Sequence, residues 1–241
     1  MTATDELLGP ILRDVSRAFY LTLRVLPAAV RPQIGLAYLL ARIADTIADT
    51  TKVPAEKRRK KLRQFRERIR DEGAPPVDFS TILRTLDHKG EQRLLQHGAE
   101  AIALLDTTEA ADRGQIQLVL ETITRGQELD LERFDGKTLT ALQTTDDLDD
   151  YTYRVAGCVG EFWTRITRQH CFPDEELDEL HLVQNAIRFG KGLQLVNILR
   201  DLPADLAAGR CYLPAVDLAM AHLEPADLRE PKNWRQLEPV F

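Results

Sequence analysis

The chain has 241 residues, 44% of them hydrophobic and 29% charged, with a formal net charge of −6. That is enough apolar material for one large domain or two small ones, and the acidic balance argues against a nucleic-acid binder, whose affinity comes mainly from neutralising phosphates. Its three cysteines, Cys158, Cys171 and Cys211, show no CxxC spacing, which fits reduced thiols better than a disulfide framework. The N-terminus lacks a signal-peptide pattern. No apolar run approaches the roughly 18 residues of a membrane span. The expectation is a soluble, cytoplasmic protein without a transmembrane segment.

Helical periodicity dominates. From Pro32 to Thr50 the apolar residues Ile34, Leu36, Ala37, Leu40, Ile43, Ala44 and Ile47 recur at three- and four-residue intervals, and Pro32 stands in the first turn, where a helix tolerates proline. Glu56 to Asp71 predicts a second, basic helix with a narrow stripe of Leu62, Phe65 and Ile69. Further helices are predicted around 79–87, 91–106, 109–130, 146–168, 174–189 and 190–208. Breaks fall at the GAPP stretch from Gly73, at Gly136, at Phe172 and Pro173, and at Gly209. No internal repeat, low-complexity tract or linker is present. The pattern predicts one all-α domain.

Two short stretches carry unusual charge. LLARIADTIAD, from Leu39, and NILRDLPAD, from Asn197, each set two aspartates four residues apart behind an arginine. On a helix, residues i and i+4 lie about 40° apart around the axis, so both project from one face. Asp45 and Asp49 therefore form a pair of oxygen donors, as do Asp201 and Asp205 if that segment is helical. One such pair is ordinarily two solvated carboxylates. Two pairs inside apolar sequence call for compensating cations or donors. Hard oxygen ligands without nearby Cys or His favour Mg²⁺, which bridges one or two carboxylates to substrate phosphates, and the forks of Arg42 and Arg200 suit phosphate oxygens. Pro203 leaves two readings open: a helix end with Asp205 in a loop, or a kink that re-aims Asp205.

Other chemistries lack their residues. The serines, Ser16 and Ser80, stand outside any GxSxG elbow. There is no P-loop or dinucleotide fingerprint, and the five histidines form no zinc pattern. The basic run at 57–61 reads as a solvated helix face, with a membrane-interfacial role as the alternative. The acidic cluster at 146–150 reads as a helix N-terminus, where negative charge complements the dipole.

Several segments, in order, resemble the squalene and phytoene synthases, which condense prenyl diphosphates head to head. They are SRAF from Ser16, YLLARIADTIAD from Tyr38, YTYRVAGCVG from Tyr151, GLQLVNILRDLPAD from Gly192 and the GRCYLP tail from Gly209. Together they run from about residue 16 to 214. The resemblance implies a single isoprenoid-synthase domain over 1–241, a helical bundle around an apolar cavity. It implies Mg²⁺ held by Asp45, Asp49, Asn197, Asp201 and Asp205. Diphosphate and prenyl contacts would come from Ser16, Arg17, Phe19, Tyr38, Arg42, Gln194, Asn197 and Arg200, with Tyr151 beside the aspartates as a catalytic residue. Phe19, Tyr38 and Tyr151 are candidates for cation–π stabilisation of a carbocation.

The implied reaction joins two farnesyl diphosphates to presqualene diphosphate and then squalene. Asp45-Thr46, with no second acidic residue following, leans towards the squalene branch. NADPH use in the second half rests on the resemblance alone. Phytoene or dehydrosqualene synthesis and a non-catalytic assembly protein are the alternatives. The chain stops roughly 25 residues after GRCYLP, where family members continue through further helices. The expectation is a chain lacking those C-terminal helices, with a cavity more open to water. Peripheral membrane contact is a further expectation.

Overall fold

The computed structural model describes residues 3–16, 19–134 and 136–240. The N-terminal segment, for which no helix is predicted, coils as α1 (Ala3–Glu6), a π-helical turn (Leu7–Ile11), α2 (Leu12–Ser16) and α3 (Phe19–Val25). Next come α4 (Arg31–Asp49), α5 (Ala55–Arg70), the one-turn α6 (Ser80–Leu83), α7 (Lys89–Gln96), α8 (Gly98–Asp106) and α9 (Ala110–Arg133). After strand β1 (Thr140–Ala141) follow α10 (Thr145–Thr152), a second π-helical turn (Tyr153–Gly157), α11 (Cys158–Cys171) and α12 (Glu179–Ala207). Strand β2 (Arg210–Cys211), α13 (Ala215–Met220) and two 3₁₀ segments (Pro225–Arg229, Pro231–Val240) complete the described chain.

α4 is the central post. Ile34, Leu39, Leu40, Ile43 and Ile47 are at most 2% exposed, and α5, α8 and α9 pack around it. A helix apolar on most of its circumference is a buried one, as its sequence predicts. The acidic cluster at 146–150 opens α10, where Thr144 and Asp147 form a capping box that satisfies two orphan N–H groups.

The predicted break at 189–190 is absent: α12 is a single helix, running through Gly190, Gly192 and Pro203. Gly190 serves close packing instead. A Cβ there would lie 2.4 Å from the Ala156 carbonyl oxygen, and one on Gly160 would lie 2.2 Å from that of Ala186. The two glycines let α12 dock on the π turn and α11 at backbone distance. Pro203 neither ends the helix nor strands Asp205 in a loop; its missing N–H costs one hydrogen bond and the helix continues to Ala207. The predicted helix over 91–106 is divided at His97, and that over 79–87 shrinks to one turn.

Two apolar cores result. One gathers α2, α4, α5, α7, α8, α9 and α11. The other joins Phe134, Tyr151, Ile198, Leu202, Leu206 and Tyr212 to the C-terminal segments. The parallel pairing of β1 with β2, Thr140 opposite Arg210 and Ala141 opposite Cys211, ties the GRCYLP tail to the loop after α9. α12 is buried along one face only; on the other, Leu182, Phe189, Leu193, Val196 and Leu199 are exposed. No helix among the described residues is long and apolar enough to cross a membrane.

Candidate active site

A cavity of about 820 Å³ opens along the seam between the two cores. Val119, Ile123, Phe162 and Trp163 line its walls, with Phe19 and Tyr38 stacked at 5.1 Å and Trp163 edge-on to Phe19 at 6.3 Å. All four predicted aspartates line it too, Asp45 and Asp49 from α4, Asp201 and Asp205 from α12. Both pairs sit in the closing turns of their helices. That end of a helix carries the negative pole of the macrodipole, which favours cations and disfavours carboxylates.

The carboxylates are compensated unevenly. Asp45 accepts a hydrogen bond from Gln127 Nε2 at 2.7 Å and has Arg42 3.8 Å away. Removal from bulk water, followed by the charge of Asp49, pushes its carboxyl up to about 7. Although 41% of the Asp45 side chain is accessible, that surface faces the cavity it lines, so the neighbouring protein still strips away bulk hydration. Burial also raises Asp49, against the opposing charges of Arg210, Arg42 and Arg58. Asp205 is raised by burial as well, and pairs with Arg210 at 2.8 Å. Asp201 goes the other way: it is exposed, and Arg200, at 2.7 and 2.9 Å, lowers its carboxyl.

Phe19, Tyr38, Tyr151, Gln194 and Asn197, all candidates from the sequence, also line the cavity. Gln194 donates to the Tyr151 hydroxyl at 3.4 Å and accepts from Asn197 at 3.2 Å. Three predicted diphosphate contacts do not reach its wall. The Ser16 hydroxyl turns back on its own helix and donates to the Leu12 carbonyl at 2.6 Å. Arg42 is drawn aside to Glu91 at 2.5 Å. Arg200 lies on the outer surface, its side chain 65% exposed. Arg17 lies outside the described residues.

Arg58 and Arg210 take the place of these arginines on the cavity wall. Arg58, from the run expected to be a solvated face, donates to the Ala48 carbonyl at the end of α4. The Nε atoms of Arg58, Arg210 and Arg42 are all buried without a hydrogen-bond acceptor. Buried donors of that kind are costly unless an acceptor arrives. Sequence reasoning also passed over Gln127, Asp130 and Tyr212. A signal existed for the first two: on α9, Val119, Ile123, Gln127 and Asp130 continue one stripe, apolar for two turns and then polar. Tyr212 stacks on Tyr151 with ring centroids 4.4 Å apart, and its hydroxyl donates to Asp130 at 2.6 Å.

Among the described residues, no three histidine, cysteine or acidic side chains converge closely enough to hold a metal unaided. The donor set nevertheless fits Mg²⁺, which keeps most of its waters and uses few protein carboxylates when it is bound with a phosphate.

The sequence model for squalene/phytoene synthase matches residues 12–241. A phytoene synthase from Arthrospira platensis is 30% identical over 96% of this chain and 69% of its own length. A presqualene diphosphate synthase from Rhodopseudomonas palustris is 31% identical over 88% of this chain and 63% of its own. Among solved structures, a complex of TcSQS with the ligand E5700 superposes with a TM-score of 0.75 at 23% identity, over 97% of this chain and 65% of the other. A dehydrosqualene synthase in complex with a ligand superposes at 0.61, again at 23% identity, over 97% of this chain and 72% of the other. The chain thus spans about two thirds of the length of these relatives.

Proposed function

The chain belongs to the squalene/phytoene synthase family, and from that premise we propose that it condenses two prenyl diphosphates head to head, with Mg²⁺, to a cyclopropylcarbinyl diphosphate. One observation carries the reading: the polar end of an apolar cavity gathers four carboxylates from two helix C-termini together with Arg58 and Arg210, whose buried Nε donors have no acceptor. A diphosphate in the cavity offers the two guanidinium groups an anion to hold. Asp45, Asp49, Asp201 and Asp205, with Asn197, would hold Mg²⁺, which would offset the charge on the departing diphosphate.

The remaining work falls to this chain's residues. Arg58 and Arg210 orient the diphosphate and take up part of its charge, a contribution magnified where water is scarce. Val119, Ile123, Phe162 and the aromatic group Phe19, Tyr38 and Trp163 enclose the hydrocarbon chains and shield a carbocation from water. The faces of Tyr38 and Tyr151 stabilise positive charge by cation–π attraction. Presqualene diphosphate as first product is supported by the likeness to the Rhodopseudomonas enzyme, and farnesyl diphosphate is the substrate that product would require.

The test is a product assay on the purified chain with farnesyl diphosphate and Mg²⁺, with and without NADPH, read by mass spectrometry. Presqualene diphosphate in both reactions is the expected result; squalene appearing only with NADPH extends the reading to the second half-reaction. Product from geranylgeranyl diphosphate alone would move the chain to the phytoene branch. No product from either substrate would overturn the reading.

A further inference from the structure

We propose that Glu91 is a positioning residue for the metal carboxylates: by holding Arg42 it keeps that arginine from neutralising Asp45, and so leaves Asp45 open to Mg²⁺. The inference rests on the proposed function and deepens it, since it concerns how one carboxylate of that site is kept free.

Arg42 stands between two carboxylates. It lies three residues before Asp45 on α4, a spacing at which side chains on a helix can meet. Yet its Nη1 stops 3.8 Å from Asp45 Oδ2, too far for a hydrogen bond, while its Nη2 donates to Glu91 Oε1 at 2.5 Å. The other Asp45 oxygen, Oδ1, accepts from Gln127. Oδ2 is therefore the oxygen that either a metal or an arginine can take. Arg200 shows the outcome without a third partner. It stands directly before Asp201, has no second carboxylate among the described residues, and closes on Asp201 at 2.7 and 2.9 Å. A two-pronged pair of that kind occupies both carboxylate oxygens.

Glu91 is well placed to prevent the same closure on α4. It sits in the first turn of α7, where the positive pole of the macrodipole favours a carboxylate. Its side chain is 19% exposed and that of Arg42 27%, so water and salt screen the pair less than an open surface pair. The helix that carries it is anchored. Leu94 and Leu95 are buried in the core that α4 shares, and Arg93 ties α7 to Glu6 and Asp14 at 2.8 and 3.5 Å. A Cβ on Gly90 would lie 3.0 Å from the Asp14 carbonyl oxygen, so the first turn of α7 seats directly on α2. Glu91 itself stands outside the cavity lining. It acts through Arg42, as the outer partners of a metal site act through the ligands they orient.

The experiment titrates Mg²⁺ into the purified chain with inorganic pyrophosphate, read by calorimetry, for the wild type, Glu91→Ala and the double variant Glu91→Ala with Arg42→Gln. Glu91→Ala should weaken Mg²⁺ binding about tenfold, the scale for a residue that orients a metal ligand. Half-maximal turnover should then need correspondingly more Mg²⁺. Removing the arginine as well should bring Mg²⁺ binding back to within about threefold of the wild type, because the two substitutions act on one contact and are not additive. A Glu91 that merely braces α7 would lower Tm when lost, and the second substitution would not repair binding. A crystal structure of metal-free Glu91→Ala gives a readout without metal or turnover: the separation of Arg42 from Asp45 should shrink from 3.8 Å to about 2.8 Å. Unchanged Mg²⁺ binding in Glu91→Ala, an unrepaired double variant or an unchanged separation would each overturn the inference and leave the proposed function intact. A wild-type chain that binds no Mg²⁺ with pyrophosphate would overturn both.

Discussion

The aspartate pairs of α4 and α12 share a spacing, an arginine neighbour and a place in the last turns of a helix, yet they stand in opposite surroundings. Asp45 lies between the apolar core and the cavity, held by one amide hydrogen bond and a distant arginine, and its carboxyl rises to about 7. Asp201 lies on a helix buried along only one face, and a bidentate arginine in open solvent lowers it. The same aspartate spacing thus yields one carboxylate that needs a cation and one already neutralised by the arginine directly before it. Asp45 is the high-energy carboxylate of the site and Asp201 the accessible one, whereas Asp49 and Asp205, both raised by burial and both facing Arg210, stand alike.

Removing one carboxylate from each pair gives the largest expected effect. Asp45→Asn and Asp201→Asn should each lower turnover by about 10³-fold or more, if both pairs hold metal against a departing diphosphate, while circular dichroism stays that of the wild type. Near-normal activity in Asp201→Asn alone would mean that its pairing with Arg200 persists and only the α4 pair works.

The docking of α12 comes next. Gly190→Ala would drive a methyl into the Ala156 carbonyl, 2.4 Å away, and should cost about 3 kcal/mol, or roughly 10 °C in Tm. At Gly192 a Cβ meets nothing within 4 Å, so Gly192→Ala should be neutral or stabilising by about 0.5–1 kcal/mol, because alanine loses less backbone freedom in a helix. Equal effects in thermal melts would show that α12 does not pack as described.

How far these surroundings could be read from sequence follows from what sets them. The α4 helix is legible because burial on most sides imposes an apolar pattern at local spacing, and the aspartates stand out against it. The dual role of glycine was not legible: Gly190 and Gly160 look like punctuation along the chain, and only the carbonyls of Ala156 and Ala186, brought near by tertiary packing, reveal them as contact points. The arginines failed for a similar reason. Adjacency to an aspartate suggested Arg42 and Arg200, but a side chain takes the nearest acceptor, Glu91 in one case and Asp201 in the other. The cavity arginines come from α5, whose basic run reads as a solvated face, and from β2, where Arg210 stands in the GRCYLP tail without being singled out. The pairing of β1 with β2, only two residues on each strand, is too short to leave a period-two pattern, although it helps set Arg210 in place.

The arginines sharpen the comparison more gently. Arg210 reaches the cavity and pairs with Asp205, so Arg210→Gln should reduce kcat/KM about 30-fold, the cost of one charge-assisted contact. Arg200 points to solvent, so Arg200→Gln should change it by no more than about twofold. Reversed magnitudes in steady-state kinetics would mean that Arg200 swings inward once diphosphate binds.

The smallest expected effect isolates the cause of the asymmetry, and it is read without substrate or metal. In the unfolded chain an aspartate titrates near 4; in the folded chain Asp45 titrates at about 7. Its protonated form is therefore favoured by folding, and the stability it contributes is complete below about pH 4 and lost as pH rises through about 7. Asp201 has the opposite sign: lowered by Arg200, it contributes stability above the unfolded value and loses it as pH falls, but full exposure leaves that contribution weak. Asp49, Asp205 and Asp130 are raised as Asp45 is, so the wild-type curve alone sums several groups, whereas a difference between variants singles out one. The Tm of Asp45→Asn minus that of the wild type should climb by a few degrees between about pH 4 and pH 7 and level off above. The same difference for Asp201→Asn should stay flat across that window. A flat difference for Asp45→Asn would mean that the cavity hydrates its carboxylate as well as bulk water does, and the two pairs would then be equivalent after all.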